Sequence, residues 1–136
     1  MPYWRLFYHV VWGTKYREPL IAPEFERSLH NVIAAKALDL GGIVHAVGGT
    51  TDHIHLVVSV PPNIALSVFV GQVKGNSSHF VNNEVRLEHK FAWQRGYGIT
   101  SFGERHLGWV VRYTHNQAQH HGQGTTIKRL ERVTDT

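Results

Sequence analysis

The sequence predicts an α+β sandwich: one antiparallel sheet, two crossover helices and an additional helix at the C-terminal end. Three observations predict it. Strand-like and helix-like segments alternate as β-α-β-β-α-β. The two middle strands are joined only by the turn residues Gly48-Gly49-Thr50-Thr51-Asp52, so they form a hairpin. A last helical segment follows the fourth strand. Two crossover helices on a sheet with a central hairpin give the ferredoxin-like arrangement.

The elements follow in order. Residues 3–16, YWRLFYHVVWGTKY, are aromatic and β-branched and read as a long first strand. Pro23 suits the first turn of a helix. Phe25, Leu29, Val32, Ile33, Ala37 and Leu40 then recur at helical spacing until Gly41-Gly42 stops the run. Residues 43–49 and 53–60 are the hairpin strands, the second ended by Pro61-Pro62. Ile64 to about Asn82 read as the second helix, with Phe69, Val73 and Phe80 inward, and Gly71 and Gly75 four apart as places for close packing on the sheet. Residues 91–100, FAWQRGYGIT, read as the fourth strand. Ser101-x-x-Glu104 has capping-box spacing and predicts a helix running to about His121, with Leu107, Val110, Val111, Thr114 and Ala118 as its buried stripe. The chain thus divides into a domain over 1–121 and a polar tail over 122–136, with room in the tail for a short helix.

Composition narrows the function. The 136 residues fit one domain. A net charge of +4 and a pI near 9.6 suit a phosphate-bearing partner. The absence of cysteine excludes disulfides, thiolate nucleophiles and Cys-ligated zinc, and suits a reducing cytoplasm. No apolar run approaches the roughly 18–20 residues of a membrane span, and Met1-Pro2-Tyr3-Trp4-Arg5 does not read as a secretory signal, so a cytoplasmic protein with no membrane partner is expected.

The strand Asp52-His53-Ile54-His55-Leu56-Val57-Val58-Ser59-Val60 is the most informative stretch. Side chains alternate across a strand, so Ile54, Leu56, Val58 and Val60 share an apolar face while His53 and His55 share the other. Two imidazoles on one side of a rigid strand can chelate a cation. With 11 histidines in the chain, about one His-x-His arises from composition alone, so solvent-facing or hydrogen-bonded histidines remain the alternative. In the last helix, Tyr113 and Gln117 lie one turn apart on a shared face, with His120 nearby. Taken alone, Tyr113 also reads as a packing residue and Gln117 as a surface amide.

Together these blocks resemble a known family. HIH in a strand, FAWQRGYG after it and Tyr113-x-x-Asn116-Gln117 in a helix are similar to the single-tyrosine HUH transposases of the insertion-sequence 200/605 group. YHVVWGTKYREPLI and VSVPPNIALSVFVGQVKGNSS resemble that family's first strand and its HUH strand with the following helix, and the blocks are collinear over roughly residues 3–121. The resemblance implies that His53, His55 and Gln117 hold a divalent metal, Mg²⁺ or Mn²⁺, and that Tyr113 is the nucleophile. It implies a homodimer in which the helix after Gly103 docks on the partner subunit, and single-stranded DNA with hairpins at the element ends as the substrate. Thr114, where the family usually has an apolar residue, and the pair Gly108-Trp109 depart from the pattern and put helix stability or docking in doubt.

The expected reaction is transesterification in DNA transposition and recombination: a 5′-phosphotyrosine forms and a 3′-OH is released. His120, Asp52 and water are open as acceptors of the tyrosine proton. Lys15, Arg17, Lys74 and Arg95 are candidate nucleic-acid contacts, with Trp93 or Tyr97 to stack on an unpaired base. Other readings stand beside this one. The first is a non-catalytic, domesticated nucleic-acid-binding module. The second is a different metal enzyme drawing its third ligand from Glu84, Glu88 or Glu104. A repetitive-palindrome-associated transposase-like protein would share the chemistry.

Overall fold

A computed structural model describes residues 3–133; the side chain of Ala118, expected in the last helix's buried stripe, lies outside what it describes. The strands are β1 (Phe7–Gly13), β2 (Ile43–Gly49), β3 (His53–Ser59) and β4 (Gly98–Phe102); the helices are α1 (Pro23–Asp39), α2 (Leu66–Phe80), α3 (Leu107–His115), α4 (Gln117–Gln123) and α5 (Lys128–Glu131). The sheet order is β2-β3-β1-β4, every pair antiparallel, which is the expected ferredoxin-like topology. The histidine strand β3 is central, between β2 and β1.

One face of the sheet carries the main core. Val10 and Trp12 of β1 and Ile54, Leu56 and Val58 of β3 meet Phe25, Leu29, Ile33 and Ala37 of α1 and Phe69, Val70 and Val73 of α2. Each buried aliphatic or aromatic side chain there contributes about 1.5–3 kcal/mol. The other face is smaller: Ala46 and Val57 pack under Val110, with Phe102, Leu107, Trp109 and Val111 partly buried around them. This second face carries His53 and His55, and α3 covers it. Gly71 and Gly75 do not pack on the sheet, since a Cβ at either would meet nothing within 4 Å.

Four sequence-based boundaries shift, each for a physical reason. The first strand is shorter than residues 3–16: the chain turns at Thr14 into one 3-10 turn, Lys15–Arg17, with Tyr16 and Arg17 at φ 59° and 55°. The fourth strand begins at Gly98, not 91, because side chains capture the backbone before it. Asn82 accepts from Phe91 N and donates to Phe91 O, at 2.8 and 2.9 Å, and the Lys74 ammonium donates to the carbonyls of Gln94, Arg95 and Gly96. Backbone groups satisfied this way need no ladder. Phe91 and Trp93 instead pack edge-on in the core, Trp93 against Trp12 at 5.8 Å between centroids. The capping box does not form: Ser101 pairs in β4 opposite Tyr8, Glu104 binds Arg5 at 2.6 Å, and α3 starts at Leu107. The last helix also breaks at Asn116 (φ −104°, ψ 28°) into α3 and α4.

Candidate active site

Alternation along β3 turns His53 and His55 to the same face, and register sets their neighbours. Gly13 of β1 is opposite His53, and Gly48 of β2 is opposite His55. Both imidazoles are at most 1% exposed. Each has its Nδ1 engaged behind the site. His53 Nδ1 is 2.8 Å from Asp52 Oδ1 and 2.8 Å from Thr50 Oγ1, and His55 Nδ1 is 2.6 Å from His9 Nε2. Nδ1–H donating to these partners is the tautomer that would leave both Nε2 atoms for a cation at the same point, whereas the His55–Glu131 hydrogen bond uses Nε2–H.

Three further residues converge there. Gln117 Oε1 lies 3.1 Å from His53 Nε2. Glu131 Oε1 lies 3.0 Å from His55 Nε2 and 3.6 Å from His53 Nε2. His121 Nε2 is 3.2 Å from Gln117 Oε1 and 3.3 Å from Glu131 Oε1. Donor atoms of His53, His55 and Glu131 all fall within 4.8 Å of one another. Two imidazole nitrogens, an amide oxygen and a carboxylate oxygen around one point fit a divalent cation of the Mn²⁺ or Mg²⁺ type.

Tyr113 borders this cluster. Its hydroxyl donates to Glu131 Oε2 and accepts from Ile127 N–H at 2.8 Å. Its ring stacks on His120 at 4.6 Å and stands 6.0 Å from that of His55, in the same chain. Gln117, one turn on, donates from Nε2 to Tyr113 O and is thereby aimed at His53. Two glycines let the covering elements approach: a Cβ at Gly48 would press on the Thr114 carbonyl of α3, and one at Gly98 on the Arg132 carbonyl of the tail.

The electrostatics follow from burial and pairing. Burial, then the charge of His55, pushes His9 down to about 3, and burial likewise lowers His55. Burial would raise Glu131, but the hydrogen bond and charge of His55 and the hydrogen bond from Tyr113 outweigh it and hold the carboxyl at about 2. Burial and the Glu131 hydrogen bond raise Tyr113 to about 12, against partial relief from Ile127 N–H. At neutral pH a carboxylate lies beside the neutral His9 and His55 rings and a protonated phenol.

The structure brings His53, His55, Gln117 and Tyr113 together within one chain. Lys15 and Arg95 have exposed side chains, and Arg17 pairs with Asp52 at 3.2 Å. Lys74 is a correction. Its three N–H groups go to Gln94 O, Arg95 O and Gly96 O at 2.8–3.3 Å, so its charge anchors the loop and is not free for phosphate. Trp93 likewise donates its indole N–H to Lys74 O and Ser77 Oγ and is part of the core packing. Glu104 pairs with Arg5. Of the groups open as proton acceptors, Asp52 lies behind His53, and His120 stacks on the phenol ring while its Nδ1 meets Thr125 Oγ1. Sequence reasoning missed Glu131, which sits in a tail with no periodic signal. It also missed His9, whose strand parity, two residues from Val11 opposite His55, did hold the signal.

The family model "Transposase IS200 like" matches residues 2–117. The chain belongs to the IS200-like transposase family. Among its relatives, the transposases for insertion sequence element IS200 of Salmonella typhimurium and Salmonella typhi are each 26% identical over 106 residues, covering 74% of this chain and 70% of the relative. The ISDra2 transposase TnpA of Deinococcus radiodurans is 26% identical over 119 residues, covering 84% and 85%. Solved structures share the fold. A proposed transposase from Deinococcus radiodurans has a TM-score of 0.68 at 24% identity, covering 86% of this transposase and 95% of that chain. A REP-associated tyrosine transposase bound to a REP hairpin has a TM-score of 0.64 at 13% identity, covering 93% and 76%. Glu131 lies beyond the matched span of the family model. Among the described residues no helix is long and apolar enough to cross a membrane.

Proposed function

We propose that this transposase cleaves and rejoins single-stranded DNA with Tyr113 as nucleophile, assisted by a divalent metal at His53, His55 and Gln117. One observation carries the reading: His53 Nε2, His55 Nε2, Gln117 Oε1 and Glu131 Oε1 converge on a single point, and the other oxygen of Glu131 holds the Tyr113 hydroxyl. A bound Mg²⁺ or Mn²⁺ polarises the scissile phosphate and stabilises the charge that develops on it.

The chain's own residues do the rest. Asp52 and His9 fix both imidazoles, and the hydrogen bond to Tyr113 O fixes Gln117. Tyr113 Oη attacks phosphorus in line and displaces the 3′ oxygen. The P–O bond to that oxygen breaks as the bond to tyrosine forms, and the phenolic proton ends on the released 3′-OH. One phosphodiester replaces another, so a second 3′-OH can reverse the step without ATP. Glu131 and the segment around it cover the site: Tyr113 is 3% exposed and Gln117 1%. A phosphate is admitted when this anion withdraws, and its withdrawal also removes one cause of the raised phenol pKa.

The substrate is single-stranded DNA bearing a hairpin. Supporting this, the neighbouring REP-associated transposase is bound to a hairpin and this chain carries net positive charge. The test is an SDS-resistant adduct with end-labelled hairpin DNA in Mn²⁺ or Mg²⁺. The adduct is expected to vanish in Tyr113→Phe, in His53→Ala and with EDTA, and peptide mapping is expected to put the phosphate on Tyr113. An adduct that survives Tyr113→Phe overturns the assignment. The reading extends to a homodimer. Mixing Tyr113→Phe with His53→Ala chains restores the adduct only if the segment after Gly103 exchanges between copies.

A further inference from the structure

The loop after β1 holds a solvent-exposed aromatic at a strained backbone position. Tyr16 and Arg17 adopt consecutive left-handed conformations, φ 59° and 55°. For non-glycine residues this costs about 1–2 kcal/mol each. Asparagine or glycine would adopt the same backbone more cheaply, yet the position holds tyrosine with 81% of its surface exposed. A single exposed aromatic needs no explanation; one at a strained position does, because no burial offsets the strain.

The loop is also held rigidly, and held to the active site. Thr14 N donates to Asp52 O at 2.8 Å, Lys15 N to Ala92 O at 2.9 Å, and Ile21 N to Thr51 O at 2.9 Å. Thr14 Oγ1 adds bonds to Glu18 O and Asp52 O. Arg17 Nη2 reaches Asp52 Oδ1 at 3.2 Å and stands 3.4 Å from His53 Nδ1. The residue after Tyr16 therefore touches the group that orients a candidate metal ligand. The Lys15 ammonium sits 5.4 Å from the Tyr16 ring centroid. An exposed ring with Lys15 over it and Arg17 next in the chain, on a loop tied to the candidate active site, has the make-up of a stacking platform for single-stranded nucleic acid.

We infer that Tyr16 is a base-stacking residue: it receives an unpaired base near the scissile phosphate, while Lys15 and Arg17 face the backbone phosphates on either side of that base. This rests on single-stranded DNA being the substrate, as proposed above. The loop's strain is then an arrangement that holds the ring out before DNA arrives.

The experiment is fluorescence anisotropy with labelled dT12 and with an all-abasic 12-mer of equal charge. Because base–aromatic stacking is worth about 1–3 kcal/mol, Tyr16→Ala is expected to weaken dT12 binding roughly 5- to 150-fold. Binding of the abasic chain is expected to be unchanged, and Tyr16→Trp is expected to retain dT12 affinity. Tyr16→Gly separates binding from structure: it relieves the backbone strain, so it is expected to unfold no earlier than the parent protein while losing dT12 affinity like alanine. Equal losses on both chains, or full dT12 affinity in Tyr16→Gly, overturn the inference. If the parent protein binds neither chain, the single-stranded substrate itself is wrong, and the inference falls with it.

Discussion

Gly48→Ala is the sharpest perturbation of the proposed active site, because it touches no functional group. Gly48 lies on β2 directly opposite His55, and α3 rests on it through the backbone of Thr114. An added Cβ would sit 2.8 Å from the Thr114 carbonyl carbon and nearer still to its oxygen. The optimum for such a contact is about 3.5 Å or more. Both sides of the clash are backbone, one in a central sheet and the other in a helix, so no side chain can rotate away. The helix must withdraw by on the order of 1 Å, carrying Tyr113 and Gln117 with it. A misplacement of that size costs about 100-fold in rate when reacting atoms must be aligned. Overpacking costs about 1–3 kcal/mol of stability, which the main core on the opposite face can absorb. Single-turnover adduct formation, with circular dichroism as the control for folding, reads the effect directly. A folded Gly48→Ala protein that forms adduct at the parent rate would refute the idea that α3, seated on this strand, positions the nucleophile.

Four further outcomes are expected. Asp52→Ala leaves His53 in place but removes the charged one of its Nδ1 partners, Thr50 Oγ1 remaining, so Mn²⁺ affinity by calorimetry falls about 10-fold; unchanged affinity would remove the orienting role of Asp52. Thr114→Val raises the melting temperature by several degrees, because the Thr114 hydroxyl is fully buried with no hydrogen-bond partner among the described residues and its loss saves about 1–2 kcal/mol. His9 is held neutral down to about 3, whereas in the unfolded chain it protonates below its ordinary 6.5. Folding stability attributable to it is therefore complete above pH 6.5 and drains away as pH falls towards 3, at roughly 1.4 kcal/mol per unit. Urea unfolding of metal-free protein across that range shows the slope, and His9→Leu flattens it. Leu130→Ala loosens the tail that closes the site, since Leu130 is its one fully buried side chain among the described residues of 122–133, and adduct forms faster; a slower reaction would mean that Glu131 must stay.

The β-α-β-β-α-β order was legible because burial leaves a periodic trace. The α1 stripe of Phe25, Leu29, Ile33 and Ala37 reads from spacing alone, and so does the two-faced pattern of β3. Legibility fails where side chains take over the backbone's hydrogen bonds. Residues 91–97 are as aromatic as any strand, but Asn82 and Lys74, 9 to 22 residues upstream of their partners, capture their peptide groups, and spacing does not encode such a capture. The Ser101-x-x-Glu104 box fails similarly, because Glu104 finds Arg5, 99 residues away.

The candidate site shows the same division. Strand parity puts His53 and His55 on one face, and helical spacing puts Tyr113 and Gln117 on another, yet parity cannot say which ring nitrogen points inward. That choice is made behind the rings, by Asp52 in the turn and by His9 on the adjacent strand, each engaging an Nδ1. Without those partners, composition makes a His-x-His pair unremarkable. With them, two imidazoles buried to at most 1% exposure turn the same nitrogen toward one point. A buried imidazole pair oriented this way is poorly explained by packing, since either ring could be replaced by an apolar side chain of similar size. The partners behind the rings, more than the motif, therefore distinguish a candidate metal site from a chance spacing.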